Sequence, residues 1–322
     1  MLIPLARNNF VTDIPMLEEH TMTNPFLNCE TIFRENGPYY HVFSTPPEKE
    51  LLCAHEEDYR EMNNLLALSI TESRCRDLAH AIMSNHLHTI IAGDRESCSN
   101  FLEALQRRIR MFLRRIGKSL PPIQFHVVEI TTLKQLRDEI AYVIRNPYAA
   151  RSDINPFAYR WCSGYVCFND LLERMQPGVL AATLPIRSRR DLKHERDPEM
   201  SPSLRILNGE ILPSSFVDAR LVMSLFENTR QFIWCLTRNV EAHLATAERL
   251  CEKIQLTDEE VYMIALRKCK KDFDSDSPRL LPQQQKIELI RTLKFDYGAS
   301  NKQLSRCTGI AASLIEEMFP AG

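Results

Sequence analysis

The spacing of hydrophobic and polar positions changes period several times along the chain. Residues 39–45, YYHVFST, alternate aromatic and β-branched side chains after Gly37-Pro38 and predict a strand. Over residues 57–72 the apolar positions Tyr59, Met62, Leu65, Leu66 and Ile70 recur at helical spacing. CRDLAHAIMSNHLHTIIAG then gives two short apolar runs broken at Ser84-Asn85, a hairpin pattern that Gly93-Asp94 closes. Ser99 to Ile116 reads as a helix, with Gly117 where a C′ glycine is expected. IQFHVVEI, residues 123–130, is a strand after Pro121-Pro122. Thr132 and Gln135 form a T-x-x-Q capping box that opens another helix, and Asn146-Pro147 is expected to stop it.

The resulting order β-α-β-β-α-β-α predicts an α+β unit, an antiparallel sheet of ferredoxin-like type with helices on one face. Residues 173–215 hold five prolines and the charge-rich RSRRDLKHERDPEM, which reads as an irregular linker or arm. From Phe216 onward helical periodicity dominates, so an all-α C-terminal region follows. Its last part, GASNKQLSRCTGIAASLIEEMF, has helix-turn-helix spacing, with Ser300 as N-cap, Thr308-Gly309 as the turn and Ala311 to Phe319 as the second helix. The expected division is therefore 1–36, an N-terminal extension; 37–172, the sheet unit; 173–215, the arm; and 216–322, the helical region.

Composition narrows the function classes. The formal net charge is −2, so nucleic-acid binding would have to come from local basic patches. Ten cysteines without C-x-x-C spacing point to a reducing compartment rather than a zinc ribbon. The start, MLIPLARNNF, lacks the basic residues and long apolar core of a secretory signal. No run approaches the roughly 20 apolar residues of a membrane helix. A cytoplasmic protein is expected.

In a strand the side-chain period is two, so His86 and His88 of MSNHLHTII project from one face and can reach a single cation. Alone, an H-x-H carries little weight against a chance pairing. The helix after Thr132 adds to it. Leu133, Leu136, Ile140, Val143 and Ile144 fall in one stripe at about 100° per residue, and Tyr142 lies roughly 150° from its centre. Tyr142 is thus expected on the polar face with Gln135 and Glu139, and Asn146 is its neighbour one turn on. Asn146 reads equally as a stop before proline. Two imidazoles and an amide oxygen leave coordination positions open on a divalent ion acting as a Lewis acid on a phosphodiester. The phenol beside them, once partly deprotonated, would be the nucleophile. The donor set alone admits Zn2+ or Mn2+ equally.

MSNHLHTII resembles the metal-binding H-hydrophobe-H strand of the HUH single-strand transposases and nucleases. AYVIRNPYAAR, residues 141–151, resembles the Y-I-x-x-N-P-v-x-A segment of the REP-associated tyrosine transposases. YRWCSGYVCF, residues 159–168, is similar to their Y-x-W-S-S-Y element, with Cys162 and Gly164 departing from it. The resemblance spans residues 37–170 and implies the HUH endonuclease fold. It implies that Tyr142 attacks single-stranded DNA to give a 5′-phosphotyrosine and a free 3′-OH. His86, His88 and, matching the polar residue four after the tyrosine, Asn146 would be the metal ligands. It also implies Mg2+ or Mn2+ as cofactor and single-stranded or hairpin DNA as partner. Relatives include monomers and dimers, so a homodimer stays open.

For a backbone tracker the chain offers Arg107, Arg108, Arg110, Arg114, Arg115 and Lys118 on one helix, read either as phosphate contacts or as a solvated face. Trp161 and Tyr165 could stack on unpaired bases or anchor the end of the unit against the sheet. The last predicted helix carries Glu316 and Glu317 and no Lys or Arg, unlike a duplex-reading helix. The leading expectation is a transposase-like enzyme that cleaves and rejoins single strands. The alternatives are a catalytically inactive DNA-binding regulator on the same scaffold, and a metal-dependent hydrolase in which Tyr142 is a spectator.

Overall fold

The computed structural model describes residues 25–45, 51–118, 123–150, 157, 159–167, 177–197, 199–237, 239–250 and 256–320. The first 24 residues of the expected N-terminal extension, and 173–176 and 198 of the expected arm, lie outside them. The chain is α+β. Helix α1 (Pro25–Asn36) leads into β1 (Tyr39–Ser44), α2 (Glu56–Ser73), β2 (Arg76–Ile82), β3 (Leu87–Ala92), α3 (Arg95–Arg115), β4 (Phe125–Ile130) and α4 (Leu133–Ala150). The four strands form one sheet in the order β2-β3-β1-β4, and every neighbouring pair is antiparallel.

Local chemistry sets the element ends. Asp94 caps α3 by accepting the Ser97 N–H at 2.7 Å. At the other end Gly117 adopts φ 71°, which glycine allows without strain. Its N–H donates to Arg114 O at 3.1 Å and the Lys118 N–H to Leu113 O at 2.9 Å, the two bonds of a Schellman motif. The expected capping box of α4 is half present. Thr132 Oγ1 accepts the Gln135 N–H, but the Gln135 side chain reaches back to the Thr131 N–H instead of Thr132. Pro147 does not stop α4 but sits inside it. The proline removes one helical donor, yet it is itself buried, and tertiary packing holds the last turn.

Helices cover both faces of the sheet, not one. Alternation along β1 sends Val42 toward α2 and α3, in a core with Leu66, Leu87, Ile91, Phe101 and Phe112. Tyr39 points to the opposite face, into a core with Leu78, Ile90, Leu136, Ile140 and Ile144 under α4.

The expected arm is folded. It contains β5 (Val179–Leu180), α5 (Ile186–Lys193), β6 (Arg205–Leu207) and β7 (Glu210–Ile211), the strands forming a small antiparallel sheet. Asn208 and Gly209 both take positive φ, 50° and 79°, the backbone of a tight two-residue hairpin. The α2 side chains Asn63 and Asn64 bond the backbone of Ile211 and Gly209, and Leu204, Ile206 and Ile211 join the core under α2 and α3.

The C-terminal region comprises α6 (Ala219–Leu225), α7 (Thr229–Thr237), α8 (Val240–Arg249), α9 (Asp258–Phe273), α10 (Gln283–Phe295), α11 (Asn301–Thr308) and α12 (Ala312–Met318). Its first two helices join the core under α4 through Leu221, Val222, Phe232 and Leu236, the second on α4 itself and the first against α1 and β2. The remainder builds a separate core around Ile264, Leu289, Leu293, Leu304 and Ile315. A buried ion pair between Arg145 of α4 and Glu260 of α9 joins the two. Among the described residues no helix is long and apolar enough to cross a membrane.

Candidate functional site

The site forms where the central strands meet α4. His86 sits at the end of the Met83–His86 turn, just before β3, and His88 lies within the strand. Their ring centroids are 5.0 Å apart. Tyr142 presents its ring to the same place, edge-on to His88 at 5.9 Å and 82°. The structure therefore brings His86, His88 and Tyr142 together. Asn146 follows Tyr142 by one turn of α4, and its Nδ2 is buried with no hydrogen-bond partner.

Burial pushes the His86 imidazole down to about 4. His88 is held well below its ordinary value by burial first, and then by His41 and His86 beside it. Both rings are neutral at neutral pH and keep a nitrogen lone pair for a ligand or a proton.

Two residues not expected from the sequence complete the site. His41 of β1 is fully buried; its Nε2 lies 3.1 Å from His88 Nδ1, and its Nδ1 lies 2.8 Å from Glu139 Oε2. Glu139 stands three residues before Tyr142 on α4. Its other oxygen accepts from Gln135 Nε2 at 2.9 Å and pairs with Arg249 of α8. Phe43 pairs across the ladder with both His88 and His126, and stacks on each at 5.9 and 5.2 Å. His126 is exposed and bonds Thr45 Oγ1 at 2.7 Å.

Tyr142 differs from expectation in one respect. It does lie off the apolar stripe of α4, but it is only 3% exposed. Ala247 and Leu250, from α8 and the residue ending it, pack on it together with Phe43 and Val128. Glu139 and Tyr142 on the polar face of α4 are covered, not solvated, and His41 and Arg249 pair with the Glu139 carboxylate.

Among the described residues no three His, Cys, Asp or Glu side chains converge to hold a metal ion. A cation at His86 and His88 would need the Asn146 amide to complete a protein set. Two neutral imidazoles and an amide whose nitrogen is buried without a partner fit such a group, since a half-turn of the amide exchanges its NH2 end for the oxygen.

The arginine helix is placed differently from expectation. α3 lies on the face of the sheet opposite α4 and the histidine pair. Arg108 is 2% exposed, bonding Glu72 at 2.7 Å and Glu195 at 3.2 Å, so it cannot be a phosphate contact. Arg115 pairs with Glu61 at 2.6 Å, Arg107 lies 3.5 Å from Glu195, and Lys118 donates to Leu51 O at 3.1 Å. Arg110 and Arg114 are exposed. Trp161 is buried, stacked on Tyr59 at 5.7 Å with Arg160 over its ring, which is the anchoring role rather than base stacking. In the last pair of helices, Arg306 is tied to Asp258 at 2.7 Å, and Glu316 and Glu317 are exposed.

No family model matches the chain, and no curated protein matches it. A solved structure of a REP-associated tyrosine transposase bound to a REP hairpin is distantly similar, over 54% of this chain and 94% of that one, with 14% identity and a TM-score of 0.34.

Proposed function

We propose that this protein cleaves and rejoins single-stranded DNA through a covalent tyrosine intermediate. The observation that carries the reading is the edge-on placement of Tyr142 against His88, with His86 beside it. The strand order β2-β3-β1-β4 with all neighbours antiparallel supports a ferredoxin-like sheet of the HUH type, two interlocked β-α-β units. We take 37–172 as the catalytic unit, with α6 and α7 of the C-terminal region completing its core.

In this reading Tyr142 Oη forms a bond to phosphorus and the P–O3′ bond breaks. The phenol gives up a proton and the departing 3′-oxygen takes one up, leaving a 5′-phosphotyrosine and a free 3′-OH. Rejoining is the reverse attack by a 3′-OH. His86, His88 and Asn146 would hold Mg2+ or Mn2+, which supplies Lewis-acid stabilisation of charge on the phosphate. His41 and Glu139 fix the His88 ring, and the exposed Arg110 and Arg114 are the α3 cations available to a strand passing over that face.

Tyr142→Phe is the test. The unaltered chain, incubated with stem-loop oligonucleotides and Mg2+ or Mn2+, should form a denaturant-resistant protein–DNA adduct that the phenylalanine variant cannot form. Cleavage that persists in Tyr142→Phe would reject the covalent route.

One observation favours the second reading, an inactive DNA-binding scaffold: α8 lies over the tyrosine ring. Activity therefore requires α8 to withdraw, and absence of any adduct even with α8 displaced would favour the scaffold.

A further inference from the structure

We infer that Arg249 is a phosphate-binding residue and the handle by which substrate opens the site: an entering single strand takes its guanidinium from Glu139 and so draws α8 off Tyr142. This role rests on the single-strand reading above and adds what moves α8.

Ion pairs join α4 to the C-terminal helices at Arg145–Glu260 and at Glu139–Arg249, and they differ in what can reach them. The Arg145 and Glu260 side chains are 1% and 6% exposed, so no phosphate meets that guanidinium. Arg249, in the last turn of α8, is 32% exposed while its partner Glu139 is 0% exposed. The solvent side of the second pair is therefore the cation. An anion arriving from water meets the arginine, and the carboxylate stays inside.

Glu139 can release Arg249 without leaving an oxygen bare. Gln135 Nε2 still donates to Oε1 at 2.9 Å, and Oε2 keeps His41 Nδ1 at 2.8 Å. The planar guanidinium fork matches phosphate oxygens, so the exchange replaces one charge-assisted bond with another. Position links this exchange to the cover. Leu250 follows Arg249 directly and packs on Tyr142 with Ala247, so a pull on Arg249 acts where the cover is made. Glu139 and Tyr142 are i, i+3 neighbours on α4, so a phosphate that takes Arg249 from Glu139 is held beside the nucleophile.

An arginine that only clasps α8 and one that also holds substrate predict opposite signs. Loss of a mere clasp frees the phenol, so Arg249→Ala would accelerate adduct formation, as truncating Leu250 should. Loss of a phosphate ligand gives a split result. Amide exchange over residues 240–250 accelerates in Arg249→Ala, yet the single-turnover adduct rate on a stem-loop falls by at least roughly tenfold. Arg249→Lys, which keeps the charge, recovers part of that rate.

The experiment begins with full-length Tyr142→Phe, where no covalent step intervenes. An oligothymidylate single strand should accelerate amide exchange over residues 240–250; unchanged or slower exchange overturns the inference with no change made at Arg249. Adding Arg249→Ala should lower the log–log salt slope of oligothymidylate binding by about 0.7, the share of one phosphate contact. An unchanged slope, or a faster adduct in Arg249→Ala with Tyr142 in place, also overturns it. Exchange and slope as expected, in a protein that forms no adduct, would uphold Arg249 and reject the covalent reading.

Discussion

Leu250→Ala probes the cover over the tyrosine most directly. Leu250 is 5% exposed and, with Ala247, supplies the α8 side of the contact with Tyr142. Truncating a buried leucine costs about 2–5 kcal/mol, the spread reflecting how far the cavity relaxes. Because the lost contacts join α8 to α4, the loss falls on the docked state of α8. At about 1.4 kcal/mol per factor of ten, even the lower bound multiplies the undocked fraction roughly 30-fold. Two measurements on the same variant read this out. Amide hydrogen exchange over residues 240–250 should accelerate by at least about tenfold, reporting the opening itself. Single-turnover formation of the Tyr142–DNA adduct on a stem-loop substrate should accelerate in parallel, provided opening precedes chemistry. Faster exchange with an unchanged or slower adduct rate would refute the claim that α8 gates the phenol. Unchanged exchange would refute the packing estimate.

His243 of α8 gives a pH prediction. Burial first, and then the nearby Arg145 charge, push its imidazole down to about 3, below the roughly 6.5 of an unfolded chain. Its contribution to stability is therefore complete above about pH 6.5 and declines by about 1.4 kcal/mol per unit as pH falls toward 3. The thermal midpoint of the unaltered protein should drop between pH 7 and 5 by more than that of His243→Leu; equal slopes would sink the assignment. The α3 cations should divide into two kinds. Arg110→Ala with Arg114→Ala should leave stability unchanged and flatten the salt dependence of single-strand binding by roughly 1 to 1.5 in log–log slope. Arg108→Ala should lower the urea midpoint instead, and equal losses of DNA affinity from both would contradict the buried pairing.

Some of this was legible in the chain and some was not, for definite reasons. Gly117 announces the end of α3 because few other residues take its left-handed backbone easily, a purely local constraint. Asn208-Gly209 is equally local, a hairpin signal flanked by apolar residues, but it follows a charge-rich run whose composition predicts an irregular arm. The helical wheel separates the α3 cations: Arg108 falls beside Phe101, Leu105 and Phe112 on the buried stripe, while Arg110 and Arg114 fall opposite. His41 is another matter. Its meeting with His88 depends on the register that sets Phe43 opposite His88, and register is a property of paired strands rather than of either one. The covering of Tyr142 was invisible for the same reason. Amphipathic periodicity says which face of a helix is greasy, not whether the polar face meets water or another helix.

The burial of that polar face bears on the choice between enzyme and inert scaffold. His41 and Glu139 are fully buried, with Phe43, His88 and Tyr142 rings around His41, and replacing a buried ionic set with well-packed apolar residues is often neutral or stabilising. A scaffold retained only for DNA binding gains nothing from a carboxylate with both oxygens engaged, two buried histidine rings in contact, and an amide nitrogen left unsatisfied. Each of these is intelligible if a charged group has to be received at the histidine pair. In the proposed reading the apolar cover that Ala247 and Leu250 share with Tyr142 controls when that group is met. Arg249, the α8 side chain that pairs with Glu139, is partly exposed, whereas the His41–Glu139 pair beneath it is fully buried. In the proposed reading α8 is then the element whose withdrawal exposes the phenol, and the adduct rate of Leu250→Ala separates that reading from an inactive scaffold.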